Sequence, residues 1–419
     1  MKKNILSLLV LPLLLATSCT TPVADFTSDD VDDALAYCRQ QVLTALTQLS
    51  ADSTYAAGTH VPRNIPSDGS AWTLRPISAE EWCSGFWPGI LWQLGMATDD
   101  ATLLDEAQRL TEPFWALATQ PCFDHDLGFL VITTLMHEWE YADGDDDCRA
   151  AIVACADTLA TLYNPAVGTL LSWPRHVADY GGHNTIIDNM LNLELLFWAS
   201  NHGGDSRLYD IAVSHADTTM AYQFRPDATV SHVAIYDPHT GRHLRCCTHQ
   251  GYSDSSLWAR GQAWAIYGYT LCYRETHEPR YLAFAQRVTD AYLRRLPADG
   301  VPYWDFDDPR IATSPADDLV PSATVAPRDA SAAAVVASAL IELSQYVEDP
   351  ALAEHYLAEA KHMLHTLSSP SYRCGDGKPA FLLHATGHHP AGSEIDASIV
   401  YADYYYLQAL LRLKALYES

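Results

Sequence analysis

Five times along this chain a polar and aromatic cluster opens an apolar stretch of helical length, a short polar turn follows, and an amphipathic helix returns. The openings fall at residues 82–89, 124–129, 183–189, 258–264 and 328–331, and the turns at 98–100, 143–147, 202–205, 277–279 and 348–350. A sixth apolar helix starts near residues 398–403 and is the natural partner of the N-terminal amphipathic helix at 31–49. One such hairpin cannot bury its own apolar face, so the hairpins must stack or close. The pairing of the two chain ends and the apolar first helices favour a closed, all-α ring over an open solenoid. Apolar helices then form an inner layer, amphipathic ones an outer layer, and the polar openings converge on one mouth.

The third unit is the most informative. Residues 183–198 are apolar on nearly every side and read as one buried helix, with Asn184 and Thr185 available to cap it. Asp188 lies in the first turn of that reading, and a carboxylate there needs compensation for lost solvation. It serves either the helix N-terminus or a site. Long segments at the same end (164–183, 225–257, 297–327 and 368–397) are rich in Trp, His, Gly and Pro, and loops of that length are functional or disordered. The aromatic run Val301-Pro302-Tyr303-Trp304-Asp305-Phe306 argues against disorder.

Gathered at the predicted mouth are Trp82, His125, Asp126, Phe129, Trp173, Asp188, His232, His249, Gln250, Arg260 and Trp264. Two carboxylates sharing a partly desolvated pocket drive one pKa upward and make a proton donor near neutral pH. Arg260 is suited to clamp a ligand carboxylate bidentately, and the tryptophans offer faces to a sugar ring. A net charge of −27 with no basic stripe argues against nucleic acid as a partner. The acidic turn at 143–147 lacks the glutamate of a calcium-binding loop, and neither a P-loop nor a Gly-x-Ser-x-Gly motif occurs. No metal or organic cofactor is called for, and no protein partner is implied.

Residues 1–18 form an export leader: Lys2 and Lys3, an apolar core from Ile5 to Leu15, then Ala16-Thr17-Ser18 before Cys19. Small residues before a cysteine fit a bacterial lipoprotein cleavage site, with Cys19 the lipidated first mature residue and a membrane tether. Ordinary cleavage into the periplasm is the competing reading. Residues 24–419 form a single domain. The remaining cysteines, at scattered spacings, read as buried thiols rather than a disulfide framework. The state of the adjacent Cys246 and Cys247 stays open.

The motifs Trp82-Cys83-Ser84-Gly85-Phe86-Trp87-Pro88-Gly89, His125-Asp126-Leu127-Gly128-Phe129, Ile186-Ile187-Asp188-Asn189-Met190 and Trp258-Ala259-Arg260-Gly261-Gln262-Ala263-Trp264 resemble glycoside hydrolase family 88. That family contains the unsaturated glucuronyl hydrolases. Thr248-His249-Gln250-Gly251-Tyr252-Ser253 and Arg328-Asp329-Ala330-Ser331-Ala332-Ala333 extend the match in order. The resemblance implies an (α/α)6 barrel, Asp188 as catalytic acid/base and Asp126 as a second essential carboxylate. It also implies substrate contacts from Trp82, His125, Phe129, Trp173, His232, Gln250, Arg260 and Trp264. The implied substrate is an oligosaccharide bearing a Δ4,5-unsaturated uronic acid. Rival readings are an unsaturated rhamnogalacturonyl hydrolase, a non-catalytic glycan-binding lipoprotein, and an (α/α)6 isomerase or ordinary inverting hydrolase.

Overall fold

The computed structural model describes residues 25–315 and 317–419; the leader and Cys19 lie outside the described residues. Six inner helices follow one another around a closed ring: Phe86–Thr98, a broken helix over Leu127–Ile132 and Leu135–Tyr141, Asn189–Asn201, Ala259–Thr276, Ala330–Ser344 and Val400–Glu418. The last packs against both the fifth and the first, which closes the (α/α)6 barrel. The outer layer is Ser28–Leu49, Ala101–Thr111, Asp146–Ala160, Arg207–Tyr222, Pro279–Leu293 and Pro350–Leu367.

Each layer follows from its residue pattern. Every residue from Ala259 to Cys272 and from Ala330 to Leu343 is buried, as expected for helices covered on all sides. The outer helix Ser28–Leu49 instead buries Val31, Ala34, Cys38, Val42, Ala45 and Leu49, a stripe at three- and four-residue spacing. The acidic turns are helix starts. Asp100, Asp145 and Asp349 cap the return helices by accepting from the backbone N–H of Thr102, Cys148 and Ala351. In the second inner helix Thr133 and Thr134 return their hydroxyls to the carbonyls of Phe129 and Leu130, and the helix breaks between them. Helices approach closely at Gly128, where a Cβ would meet Asn192 at 2.5 Å.

One local expectation is corrected. Residues 183–198 are not one helix: His183–Ile186 is a strand, and the helix begins at Asn189. The strand pairs antiparallel with Val233–Tyr236 (His183 opposite Tyr236, Ile186 opposite Val233), which in turn pairs with His243–Cys247. Asn184 and Thr185 therefore cap nothing. A second small sheet joins the two chain ends, because His60–Ile65 pairs with Thr73–Pro76 and with Ser398–Ile399. All nine described cysteines are free thiols, Cys246 and Cys247 included. Among the described residues no helix is long and apolar enough to cross a membrane.

Candidate active site

The three-stranded sheet sets the geometry at the mouth. It delivers Asp188 from the end of one strand and His232 from the start of its neighbour, with the N–H of Ile187 donating to the His232 carbonyl at 3.1 Å. Asp188 occupies the position just before the helix yet makes no side-chain capping bond. Its Oδ2 is buried without a hydrogen-bond partner and lies 3.6 Å from His232 Nε2. The helix-capping role is thereby removed.

The histidine tautomer follows from its other nitrogen. His232 Nδ1 accepts the backbone N–H groups of His249 (3.2 Å) and Gln250 (3.1 Å), so the ring proton of the neutral imidazole sits on Nε2, facing Asp188. A second pair repeats the arrangement. The side-chain nitrogen of Asn192 lies 2.9 Å from His125 Nδ1, and His125 Nε2 lies 3.5 Å from Asp126 Oδ1. Burial keeps both rings neutral, lowering His125 to about 3 and His232 well below its ordinary value. Burial pushes the Asp188 carboxyl up to about 7, against the pull of the Arg260 charge and the Trp264 indole. Asp126 is raised as well, first by burial and then by the charges of Asp124 and Asp188.

These groups line a cavity of about 200 Å³ together with Trp82, Trp173, Gln250 and Arg260. Trp173 is locked to the strand by Asn184, whose side chain accepts the Trp173 N–H at 2.9 Å and donates to its carbonyl at 3.1 Å. Phe129 and Trp264 do not reach the cavity. They lie one layer behind it, 5.7 Å apart, with Phe129 packed 5.4 Å from Trp82, and back its aromatic wall.

Arg260 differs from the sequence expectation of a free bidentate fork. Its side chain is 2 % exposed. Nη1 donates to Asp329 (3.0 Å) and the Thr386 carbonyl (2.5 Å), and Nη2 to the Gly387 carbonyl (2.5 Å) and Gln250 Oε1 (3.4 Å). The arginine ties the C-terminal segment to the cavity and projects its charge there. Glu80, Asp124, Arg175, His176 and Ile186 also line the cavity and were not singled out by sequence. Two of them had a visible cue, since Asp124 directly precedes the His125-Asp126 pair and Arg175 follows Trp173 by two residues. Among the described residues no cluster of His, Cys, Asp or Glu is arranged to hold a metal ion.

Residues 64–305 match the model of Glycosyl Hydrolase Family 88. A protein of Formosa agariphila named unsaturated glucuronyl hydrolase is 43% identical over 349 residues, covering 82% of this chain and 82% of that protein. An unsaturated chondroitin disaccharide hydrolase of Streptococcus pyogenes is 34% identical over 336 residues, covering 79% of this chain and 81% of its own. The crystal structure of an unsaturated glucuronyl hydrolase specific for heparin superposes with a TM-score of 0.81 at 35% identity, over 93% of this chain and 99% of that one. Barrel, cavity and matched motifs agree, and the chain belongs to Glycosyl Hydrolase Family 88.

Proposed function

We propose that the chain removes a Δ4,5-unsaturated uronic acid from the non-reducing end of glycosaminoglycan-type oligosaccharides released by polysaccharide lyases. The observation that carries the reading is Asp188: a carboxyl at about 7, without a capping role, facing the Nε2–H of a neutral histidine inside a sugar-sized cavity. Such a group is half protonated near neutrality and serves as acid and then base. The relatives named for unsaturated glucuronyl and chondroitin disaccharide substrates support the substrate class.

The unsaturated ring contains an enol ether. Protonated Asp188 gives its proton to C4, and positive charge develops on C5 and the ring oxygen. Water adds at C5, losing a proton to the Asp188 carboxylate, which restores the acid. The C5 hemiketal opens to a ketone, leaving C1 as a hemiacetal that expels the aglycone alcohol. No group attacks the anomeric carbon, so the paired-carboxylate geometries of retaining and inverting glycosidases do not apply. His232 Nε2–H steadies the Asp188 carboxylate between the two proton transfers. Trp173 and Trp82 provide sugar faces, and the Arg260 charge with Gln250 favours the uronate carboxylate.

The leader supports export, and Cys19 supports a lipid tether. Cys19→Ser should move the protein from membrane to soluble fraction; an unchanged distribution defeats the tether. The catalytic reading is tested by loss of enol-ether absorbance with unsaturated disaccharides from chondroitin, hyaluronan, heparin and ulvan. Turnover of none of them would overturn it, and turnover of pectin-derived unsaturated disaccharides alone would establish the rhamnogalacturonyl alternative.

A further inference from the structure

Asp124 and Arg175 share the cavity with Asp126 and have no role in the chemistry above. The Asp124 side chain is only 4% exposed. Oδ1 accepts the backbone N–H of Asp126 at 3.0 Å, and Oδ2 accepts Nη1 of Arg175 at 2.9 Å. The Asp124 carbonyl accepts from the Cys122 thiol at 3.1 Å and from the N–H of Leu127 at 3.4 Å. The carboxylate is thus held by two partners and the carbonyl by two more, which ties the side chain to the Asp126 backbone. Arg175 has the opposite character. Its side chain is 44% exposed, its guanidinium lies 4.1 Å over the Phe123 ring, and it forms part of the cavity wall.

The other charges around Asp126 are accounted for. Arg63, from the strand His60–Ile65, is already spent on Glu81 at 2.6 Å and Glu394 at 2.7 Å. Burial pushes up the thiols of Cys83 and Cys122, which stay neutral. His125 is neutral for the same reason. Asp188, from the strand–helix junction, repels the Asp126 charge, and Glu80 lines the same cavity. On the same cavity wall His176 is paired with Asp179 at 2.8 Å and Arg260 with Asp329 at 3.0 Å. Beside Asp126 there remains a fixed anion whose charge is attenuated by an exposed cation.

We propose that Asp124 and Arg175 act together as a positioning pair that sets the charge carried by Asp126. Asp124 fixes the Asp126 backbone and disfavours a second negative charge beside its own, while Arg175 offsets that repulsion. The two residues therefore pull in opposite directions: burial, Asp124 and Asp188 raise Asp126, and Arg175 and Arg63 lower it. An Asp126 held protonated leaves Asp188 free of like-charge repulsion when it ionises to accept the proton of water. The inference rests on the proposed reaction only for this last consequence.

The test uses substitutions that change charge and preserve shape. Asp124→Asn keeps an oxygen to accept the Asp126 N–H, and Arg175→Gln alters an exposed side chain. The full chain, labelled with carboxyl-¹³C aspartate, is titrated by NMR, the Asp126 resonance being the one lost in Asp126→Asn. Arg175→Gln should move that midpoint to higher pH and Asp124→Asn to lower pH. The basic limb of kcat/KM on an unsaturated disaccharide should move in the same two directions. A merely structural pair would lower the melting temperature and leave both midpoints where they were. Coincident midpoints, or shifts of one sign in both variants, overturn the proposal. Should Asp124→Asn not fold, an unshifted Arg175→Gln midpoint overturns it alone. The NMR readout needs no turnover, so an inactive wild type defeats the functional reading while the titration still decides the pair.

Discussion

The two ends of the barrel both bury charge, and they treat it in opposite ways. At the far end Arg274 pairs with Glu194 at 2.6 Å, Glu275 at 2.8 Å and Glu342 at 3.3 Å, and Arg412 pairs with Glu342 at 2.8 Å. Gln408 accepts from the hydroxyls of Tyr267 and Ser338 beside them. At the mouth Asp126 and Asp188 face histidine nitrogens at 3.5 and 3.6 Å, and Asp188 Oδ2 has no hydrogen-bond partner. A paired network spends its charge on holding helices together. Unpaired carboxylates in a desolvated cavity keep theirs for a ligand and sit at the wrong protonation state for stability. Where both kinds of charge occur in one ring of helices, lack of a partner rather than burial marks the site.

The largest effect expected at the mouth comes from Asp188→Asn. Turnover should fall by about a hundred- to ten-thousandfold, the usual worth of general acid–base catalysis. The fold should be stabilised. Asp188 titrates at about 7 in the fold against 3.8 as its reference, so the native state holds the extra proton between those values. Wild-type stability therefore falls as pH rises through that window, by on the order of a few kcal/mol. Asp403, raised to about 8 by burial, adds a similar slope that the variant leaves in place. Melting temperatures from pH 4 to 8 should show a shallower decline in Asp188→Asn; a steeper one would return Asp188 to a structural role.

The far end should respond in reverse. Arg274→Met strands Glu194, Glu275 and Glu342 beside a single remaining arginine. A loss of about 3–5 kcal/mol in denaturant unfolding is expected, with kcat per folded molecule unchanged. Reduced kcat at unchanged stability would mean that the two ends are not separate in role.

Arg260 stands between the two classes, being paired and also on the cavity. Arg260→Lys keeps charge but forfeits the planar fork that holds Asp329 and the Thr386 and Gly387 carbonyls. One lost charged hydrogen bond corresponds to roughly 1.5–3 kcal/mol, about tenfold to a hundredfold in kcat/KM. Kinetics equal to wild type with a lowered melting temperature would place Arg260 wholly with the far-end network. The smallest effect belongs to Trp264→Phe, which keeps an aromatic ring behind the cavity but deletes an indole that favours the charged form of Asp188. The basic limb of the pH–rate profile should move upward with little change in maximal rate. A downward shift would show that the indole acts on Asp188 in another way.

Much of this was legible because helix patterning is local. The stripe in Ser28–Leu49 and the unbroken apolar runs at 259–272 and 330–343 distinguish outer from inner helices without reference to any neighbour. The converging polar openings brought Trp82, His125, Asp126, Trp173, Asp188, His232, Gln250 and Arg260 to one cavity as expected. The strand at His183–Ile186 escaped notice because its partner lies about fifty residues away, and its apolar run is equally compatible with a buried helix. Phe129 and Trp264 sit on the right helices at the right end, but depth below a surface is not a property of helix phase alone.

The sequence by itself determined the layers, the number of hairpins and the end at which polar groups gather, because each depends on residue type and short-range periodicity. Only the tertiary structure decided what those residues are free to do. It assigned the His232 ring proton to Nε2 through two backbone N–H groups, left Asp188 without a cap, and occupied Arg260 with carbonyls more than a hundred residues downstream. Protonation state and donor availability are set by the nearest few ångströms of surroundings, and in a closed ring those surroundings come from every part of the chain.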